Sequence, residues 1–313
     1  MNFPIVYAVK HKNFDIRMAS RSGGIFTALS DAILRRNGVV YGCVQTDDFM
    51  AAHVRAENAD GRDKMRGSKY IQSSMGDVFQ QVRNDLKQGR QVLFSGTSCQ
   101  VSGLKSFLGE SYDNLVCVDI VCRGVPSPLV WQEYLNYQSA RNGECVAVDF
   151  RNKADFGWKA HVETMIFKTS DGSSKKVSSP AYKKLFHEKK TLRPCCYKCP
   201  YKDVIHPGDI TIADYWGIEK AAPDFSDNRG VSLVLINNDR GGELFDSVSG
   251  DVEMRSCRIE DSMQPALVEP CKMPPDREKF WCDFYTKSFE LIVKKYGGEG
   301  FKAKVKRGFR KVG

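Results

Sequence analysis

Apolar runs and helix-like periods alternate through the first half of the chain. VVYGCVQ (39–45), QVLFSG (91–96), LVCVDIVC (115–122) and CVAVDF (145–150) are short and continuously apolar, the pattern of strands buried on both faces. Between them SGGIFTALSDAILRRNG, GDVFQQVRNDLKQG and PSPLVWQEYLNYQSARNG carry helical spacing, and a glycine closes each. This alternation predicts an α/β arrangement with parallel strands. After residue 150 the pattern changes. HVETMIFKTSDGSSKKV (161–177) reads as a hairpin turning at Asp171 and Gly172, followed by strands DITIADYW and VSLVLINN and a last helix around 276–296. There is no internal repeat and no low-complexity linker. The expected fold class is α/β with α+β elements in the second half. Its core is a mixed, largely parallel sheet flanked by helices, with an inserted cysteine-rich loop. The division expected is one domain over 1–300, made of an α/β half (1–150) and a mixed half (151–300) holding the loop 192–202, then a basic tail (301–313).

Composition narrows the class. Of 313 residues, 42% are hydrophobic and 27% charged, ordinary for a soluble globular protein and incompatible with wholesale disorder. No run reaches the roughly 18 apolar residues of a spanning helix. MNFPIVYAVKHKNFD has only a short apolar patch before its charges and is not a secretory signal, so a cytoplasmic location is the default expectation. Net charge is +9, and much of it lies in FKAKVKRGFRKVG, which holds six cations and no acid. Phe301, Val305 and Phe309 interleave those cations, a pattern suited to contact with an anionic membrane surface or to a solvated terminus. Nothing in the body resembles a nucleic-acid-binding motif, and no nucleic-acid partner is expected.

The 11 cysteines are an odd set scattered over a long chain, which argues against a disulfide framework. Cys43, Cys117 and Cys145 fall inside apolar runs and read as core. Others do not. QVLFSG runs into TSCQVSG, putting Cys99 at the entrance of a helix, and LVCVDIVC ends on Cys122. Ligands gather outside the carboxyl ends of parallel strands, where helix amino termini point their N–H groups and favour thiolates. RPCCYKCP (193–200) adds Cys196 and Cys199 at C-x-x-C spacing, beside Cys195. On spacing alone three readings stay open: an iron–sulfur cluster on four thiolates, a structural zinc, or no metal. Ser20-Arg21-Ser22-Gly23-Gly24 precedes an apolar helix and suits either a phosphate or a plain serine cap. Met65 to Tyr70 offers two cations and a ring that could grip a pyrophosphate and stack on a planar group, or form a surface loop. No G-x-G-x-x-G follows a strand, so a Rossmann nicotinamide site is unsupported.

Taken in order, S-x-SGG (20–24), RGSKYIQS (66–73), GTSCQVSGLKSFL (96–108), CRGVPSP (122–128), FRNKADFGW (150–158), LRPCCYKCPYK (192–202) and DITIADYWGIEK (209–220) resemble the coenzyme F420 hydrogenase/dehydrogenase beta-subunit family. The likeness is strongest to its bacterial polysaccharide-biosynthesis branch and covers residues 5–300. It implies an iron–sulfur flavoprotein oxidoreductase with FAD and a 4Fe–4S cluster. By motif the cluster ligands would be Cys99, Cys122, Cys196 and Cys199. Flavin contacts would come from Ser20, Ser22, Gly23 and Gly24, from Arg66, Gly67, Ser68, Lys69 and Tyr70, and from Gly96, Thr97 and Gln100. Coenzyme F420 itself is not assumed.

Three residues depart from the family pattern. Ser98 stands for a proline, Arg123 for a histidine whose proton-donor role would be lost or altered, and Cys195 for a serine. The sequence also starts without the amino-terminal ferredoxin domain of many relatives, so the resemblance implies a separate ferredoxin-like donor or acceptor. Family context suggests a small-molecule or lipid-linked sugar substrate and a membrane-peripheral encounter through the tail. Asp214 and Trp216 are expected near the cysteine-rich loop, as strand termination and packing or as function, and the same two readings hold for Arg151 and Trp158. Alternatives are a non-catalytic electron-transfer subunit of a larger reductase and a zinc-stabilised interaction protein.

Overall fold

The computed structural model describes residues 3–298; the basic tail lies outside the described residues. Eleven strands are found there: β1 Ile5–His11, β2 Val39–Gln45, β3 Ala51–Ala56, β4 Val92–Thr97, β5 Leu115–Ile120, β6 Glu144–Asp149, β7 Glu163–Lys168, β8 Ser174–Ser179, β9 Ile210–Asp214, β10 Ser232–Ile236 and β11 Val252–Cys257. Eight form one sheet in the order β11-β1-β10-β9-β5-β4-β2-β3, and β6-β7-β8 form a second. The large sheet is mixed and flanked by helices. Its centre, β2-β4-β5-β9, is parallel, and both wings are antiparallel.

Alternation along the central strands makes two cores. Val40, Leu93 and Val116 face the helix Ile25–Arg35 with Ile25, Leu29 and Ile33. Tyr41, Phe94 and Cys117 face the helices Val78–Lys87 and Ser98–Leu108 with Val82, Leu86, Val101 and Leu104. Strands buried on both faces must read as continuous apolar runs, which is what made β2, β4 and β5 visible.

Some expectations fail here. The amino-terminal apolar patch is β1, an interior strand paired on both sides by β10 and β11. CVAVDF is not a buried strand of the main sheet: β6 is an edge strand of the small sheet, and Glu144, Val146 and Asp149 are exposed. The single last helix is two, Arg277–Thr286 and Phe289–Tyr296, because Lys287 and Ser288 take extended backbone. The hairpin at Asp171-Gly172 forms as β7 and β8, with Gly172 at φ 81° in the turn. No helix among the described residues is long and apolar enough to cross a membrane.

Candidate functional site

The carboxyl ends of β2, β4, β5 and β9 share one edge of the sheet, and a cavity of about 680 Å³ opens there. Segments 20–26, 65–73, 120–126 and the helix Ala181–His187 wall it in. Its lining carries eight lysines and arginines against a single carboxylate, Asp214, which favours negative charge inside it.

At one end are the thiols. Thr97 and Gln100 form a reciprocal capping box at the start of Ser98–Leu108, which holds the exposed Cys99 on the first turn with Thr97 Oγ1 3.1 Å from its Sγ. Cys122 follows β5 by two residues, and the peptide N–H of Gly124 donates to its Sγ at 3.2 Å. The next helix starts only at Pro128, so the helix dipole expected at Cys122 is absent. Burial instead pushes the Cys122 thiol up to about 12, opposed by the Gly124 N–H and Lys202 and reinforced by Cys196 and Cys99. Burial likewise pushes Cys196 up to about 11. Cys196 abuts Gly124: a side chain there would place its Cβ 3.2 Å from that of Cys196, and Gly124 has φ 106°. Only glycine allows this approach.

Cys122 lies near enough to Cys196 and Cys99 for their charges to act on it, and Cys196 near enough to Cys99 and, more strongly, to its neighbour Cys195, which is exposed on the short turn Pro194–Lys198. Cys199 ends that turn, half-buried. Among the described residues no three His, Cys, Asp or Glu side chains are grouped tightly enough for one metal ion. Of the expected core cysteines, Cys117 is fully buried, but Cys43 is half-buried and lines the cavity.

At the other end are the cations and the segment 20–24. Ser20 and Ser22 line the cavity, but their hydroxyls donate to Ile16 O and Val231 O, both at 2.7 Å. The serine cap is not formed: Gly24, at φ 94°, caps Ile25–Arg35 with no side-chain bond. The amides that open this helix belong to Ile25 and Phe26, which line the cavity. Gly23 does not line it. It is stitched between β1 and β10, accepting from His11 N at 2.7 Å and donating to Ser232 Oγ at 2.9 Å. A Cβ on Gly23 would lie 2.1 Å from Val9 O, so its smallness serves the fold.

Residues 66–70 all reach the cavity. Arg66 is tied to Asp63 at 2.8 Å and to Thr27 Oγ1 at 3.1 Å. Lys69 spends its ammonium on four carbonyls, those of Cys43, Lys64, Met65 and Arg66, at 2.9 to 3.2 Å. It is a strut rather than a free phosphate grip, and burial lowers it to about 8. The Tyr70 ring packs 4.8 Å from His161 and 5.2 Å from Phe186. Gly96, Thr97 and Gln100 line the floor, with Gln100 Nε2 donating to Ser73 Oγ at 2.8 Å.

Asp214 ends β9, two residues past the Ile212 that is in register with Ile120, just as Cys122 lies two residues past Ile120 on β5. Asp214 accepts from Arg151 at 2.6 Å and from the Trp158 indole at 2.8 Å, and Trp158 stacks on Trp216 at 5.0 Å and 4°. His161 and His187 hydrogen-bond across 3.1 Å. Burial, then Arg151, lowers His161 to about 2; burial, then Lys183, lowers His187 to about 4. Arg21, His53, Lys183 and these two histidines escaped the sequence reading. Arg21 alone carried a signal, since it stands inside the S-x-SGG motif.

These elements define an α/β protein whose mixed sheet carries a large, cation-rich cavity at its strand ends, with Cys99 and Cys122 in the lining. The chain belongs to the family described as the C terminus of the coenzyme F420 hydrogenase/dehydrogenase beta subunit, whose model matches residues 89–261. That span contains Cys99, Cys122, Cys196 and Cys199 and leaves out residues 20–70. Among solved structures the fold is similar to a chain of the F420-reducing [NiFe] hydrogenase complex from Methanosarcina barkeri. The two are 18% identical, the match covers 94% of this chain and 90% of that one, and the TM-score is 0.55. No curated protein matches the sequence.

Proposed function

We propose that this protein is an iron–sulfur flavoprotein oxidoreductase that passes electrons between a ferredoxin-like partner and a substrate. The observation that carries the reading is that Cys99 and Cys122 line the cation-rich cavity with Cys196 near enough to both for its charge to act on Cys122 and that of Cys99 to act on it. The donor set fits a 4Fe–4S cluster. Thiols brought together in a dry site oppose one another's ionisation, and sharing them with an iron centre relieves that opposition. Cys199, three residues after Cys196, would supply the fourth ligand.

FAD would lie along Ser20–Gly24, Arg66–Tyr70 and Gly96–Gln100, with Gly23 and Lys69 acting as scaffold. Once bound, flavin supplies hydride chemistry and the cluster single-electron transfer. This chain's own groups bind, orient and exclude water. Tyr70, Phe186 and the stacked Trp158–Trp216 pair close the walls. Arg123, where relatives carry histidine, lines the cavity beside Cys122 and holds positive charge there. The substrate in this reading is a sugar intermediate of polysaccharide biosynthesis, met at a membrane surface through the basic tail.

Replacing the neighbouring cysteines separately tests the ligand set. Cys196→Ser should lose most of the iron and acid-labile sulfide after anaerobic purification, and Cys195→Ser should keep both. Loss confined to Cys195→Ser would overturn the assignment.

A further inference from the structure

Two histidines of the cavity lining hydrogen-bond to each other. His187 ends the helix Ala181–His187 and is exposed, and His161 is half-buried just before β7. His187 Nε2 and His161 Nδ1 lie 3.1 Å apart, and the other two ring nitrogens make no hydrogen bond among the described residues. Tyr70 covers His161 at 4.8 Å, and Phe186 packs against His187 at 5.2 Å.

The charges that act on the pair are positive. Arg151, Lys183 and Arg21 bear on His161, and Lys183, Arg123, Arg151 and Lys189 on His187. The carboxylates of the surrounding elements are engaged elsewhere: Asp214 holds Arg151 at 2.6 Å, Glu188 holds Lys190 at 2.7 Å, and Glu219 holds Lys159. Glu163 accepts from the amides of Tyr182 at 3.3 Å and Lys183 at 3.2 Å. Repulsion from the cations and loss of water keep both rings neutral at rest. Two neutral imidazoles joined by one hydrogen bond have one N–H and one bare lone pair left over, whichever ring donates. Such a pair accepts a proton at one end and releases one at the other, the central hydrogen crossing between the rings. An anion entering among the cations cancels their repulsion and brings the pair back toward the ordinary histidine pKa of about 6.5.

We propose that His161 and His187 are the proton donor of the cavity, charged by the ligand itself: its negative charge lets the pair take one proton from water through His187, and His161 passes that proton to a ligand oxygen or nitrogen. The inference rests on the oxidoreductase reading, in which a polar double bond receives hydride at one atom and this proton at the other. The hydride, from reduced flavin in that reading, carries both electrons and one negative charge, and the proton balances the charge. Only protons move through the pair. One enters at the exposed ring and one leaves at the half-buried ring, and neither ring is oxidised or reduced.

Proton uptake on anion binding tests this, by titration calorimetry in two buffers of different ionisation enthalpy. At about pH 6, Lys153 and Lys69, lowered to about 7 and about 8, already hold most of their protons. Flavin-free full-length protein is titrated there with FAD and with sodium sulfate, neither of which changes its own charge. Wild type should take up about three-quarters of a proton per bound anion, and His161→Gln/His187→Gln at least about three-fold less. Anion binding without uptake, uptake that survives in the double variant, or a cavity that takes neither anion each overturns the proposal. Uptake with sulfate in a chain that refuses FAD keeps the proton donor and removes the flavin reading; FAD binding without uptake does the opposite. Should the double variant not fold, His187→Gln at the exposed ring decides alone: uptake about two-fold lower supports the pair, and unchanged uptake overturns it.

Discussion

Cys122 and Cys196 are held where burial opposes their ionisation, whereas among the cavity's cations Arg151 pairs with Asp214 and Arg21 donates to carbonyls alone. Both groups pay in solvation, with opposite sign. The thiol end calls for a partner that takes electron density from sulfur, and the guanidinium end for one that brings negative charge. A cavity of about 680 Å³ joins them, so a single extended ligand can answer the second demand while reaching toward the first. The scaffolding differs as well. The thiols hang from strand ends and one glycine-dependent contact, whereas the cations are braced by carbonyls and by Asp214.

The sharpest way to break this contrast is Asp214→Asn. It keeps a polar group for the Trp158 indole but leaves the buried Arg151 guanidinium without its carboxylate. Removing one partner of a buried pair costs about 3 kcal/mol, readable by urea denaturation. A loss below about 1 kcal/mol would mean that Arg151 is solvated well enough to need no partner.

A second effect is expected from pH. His161, His187 and His53 are all held neutral in the fold, His53 lowered to about 4 chiefly by burial. Their folded pKa values lie below the unfolded value near 6.5, so the unfolded chain binds more protons between about pH 6.5 and pH 4. Stability should therefore fall as pH drops through that window. Urea midpoints measured at stepwise lower pH check the sign. His53→Gln should flatten the dependence by up to about one proton. An unchanged midpoint would contradict the burial assigned to these rings.

Much of the frame was legible in the sequence because β2, β4 and β5 are buried on both faces and must be continuously apolar. β1 escaped because IVYAVKH mixes polar residues into its run next to the terminus. β6 misled because an apolar stretch does not reveal which sheet takes it. At the site, the places of Cys99 and Cys122 beyond the ends of β4 and β5 were readable from apolar runs that end in turn glycines. Lys69 was misread because local sequence does not show four carbonyls closing on an ammonium. Arg21 was passed over inside its own motif, since its significance is the absence of a carboxylate that only the fold can reveal. His161 and His187 meet through the return of the β7–β8 hairpin into the next helix, which no periodicity reports.

Chemical analysis of anaerobically purified protein for iron, acid-labile sulfide, zinc and flavin tests the central claim most directly. The account predicts about four irons, about four sulfides and one flavin per chain, with the absorbance of both groups. Stoichiometric zinc with neither sulfide nor flavin would contradict it.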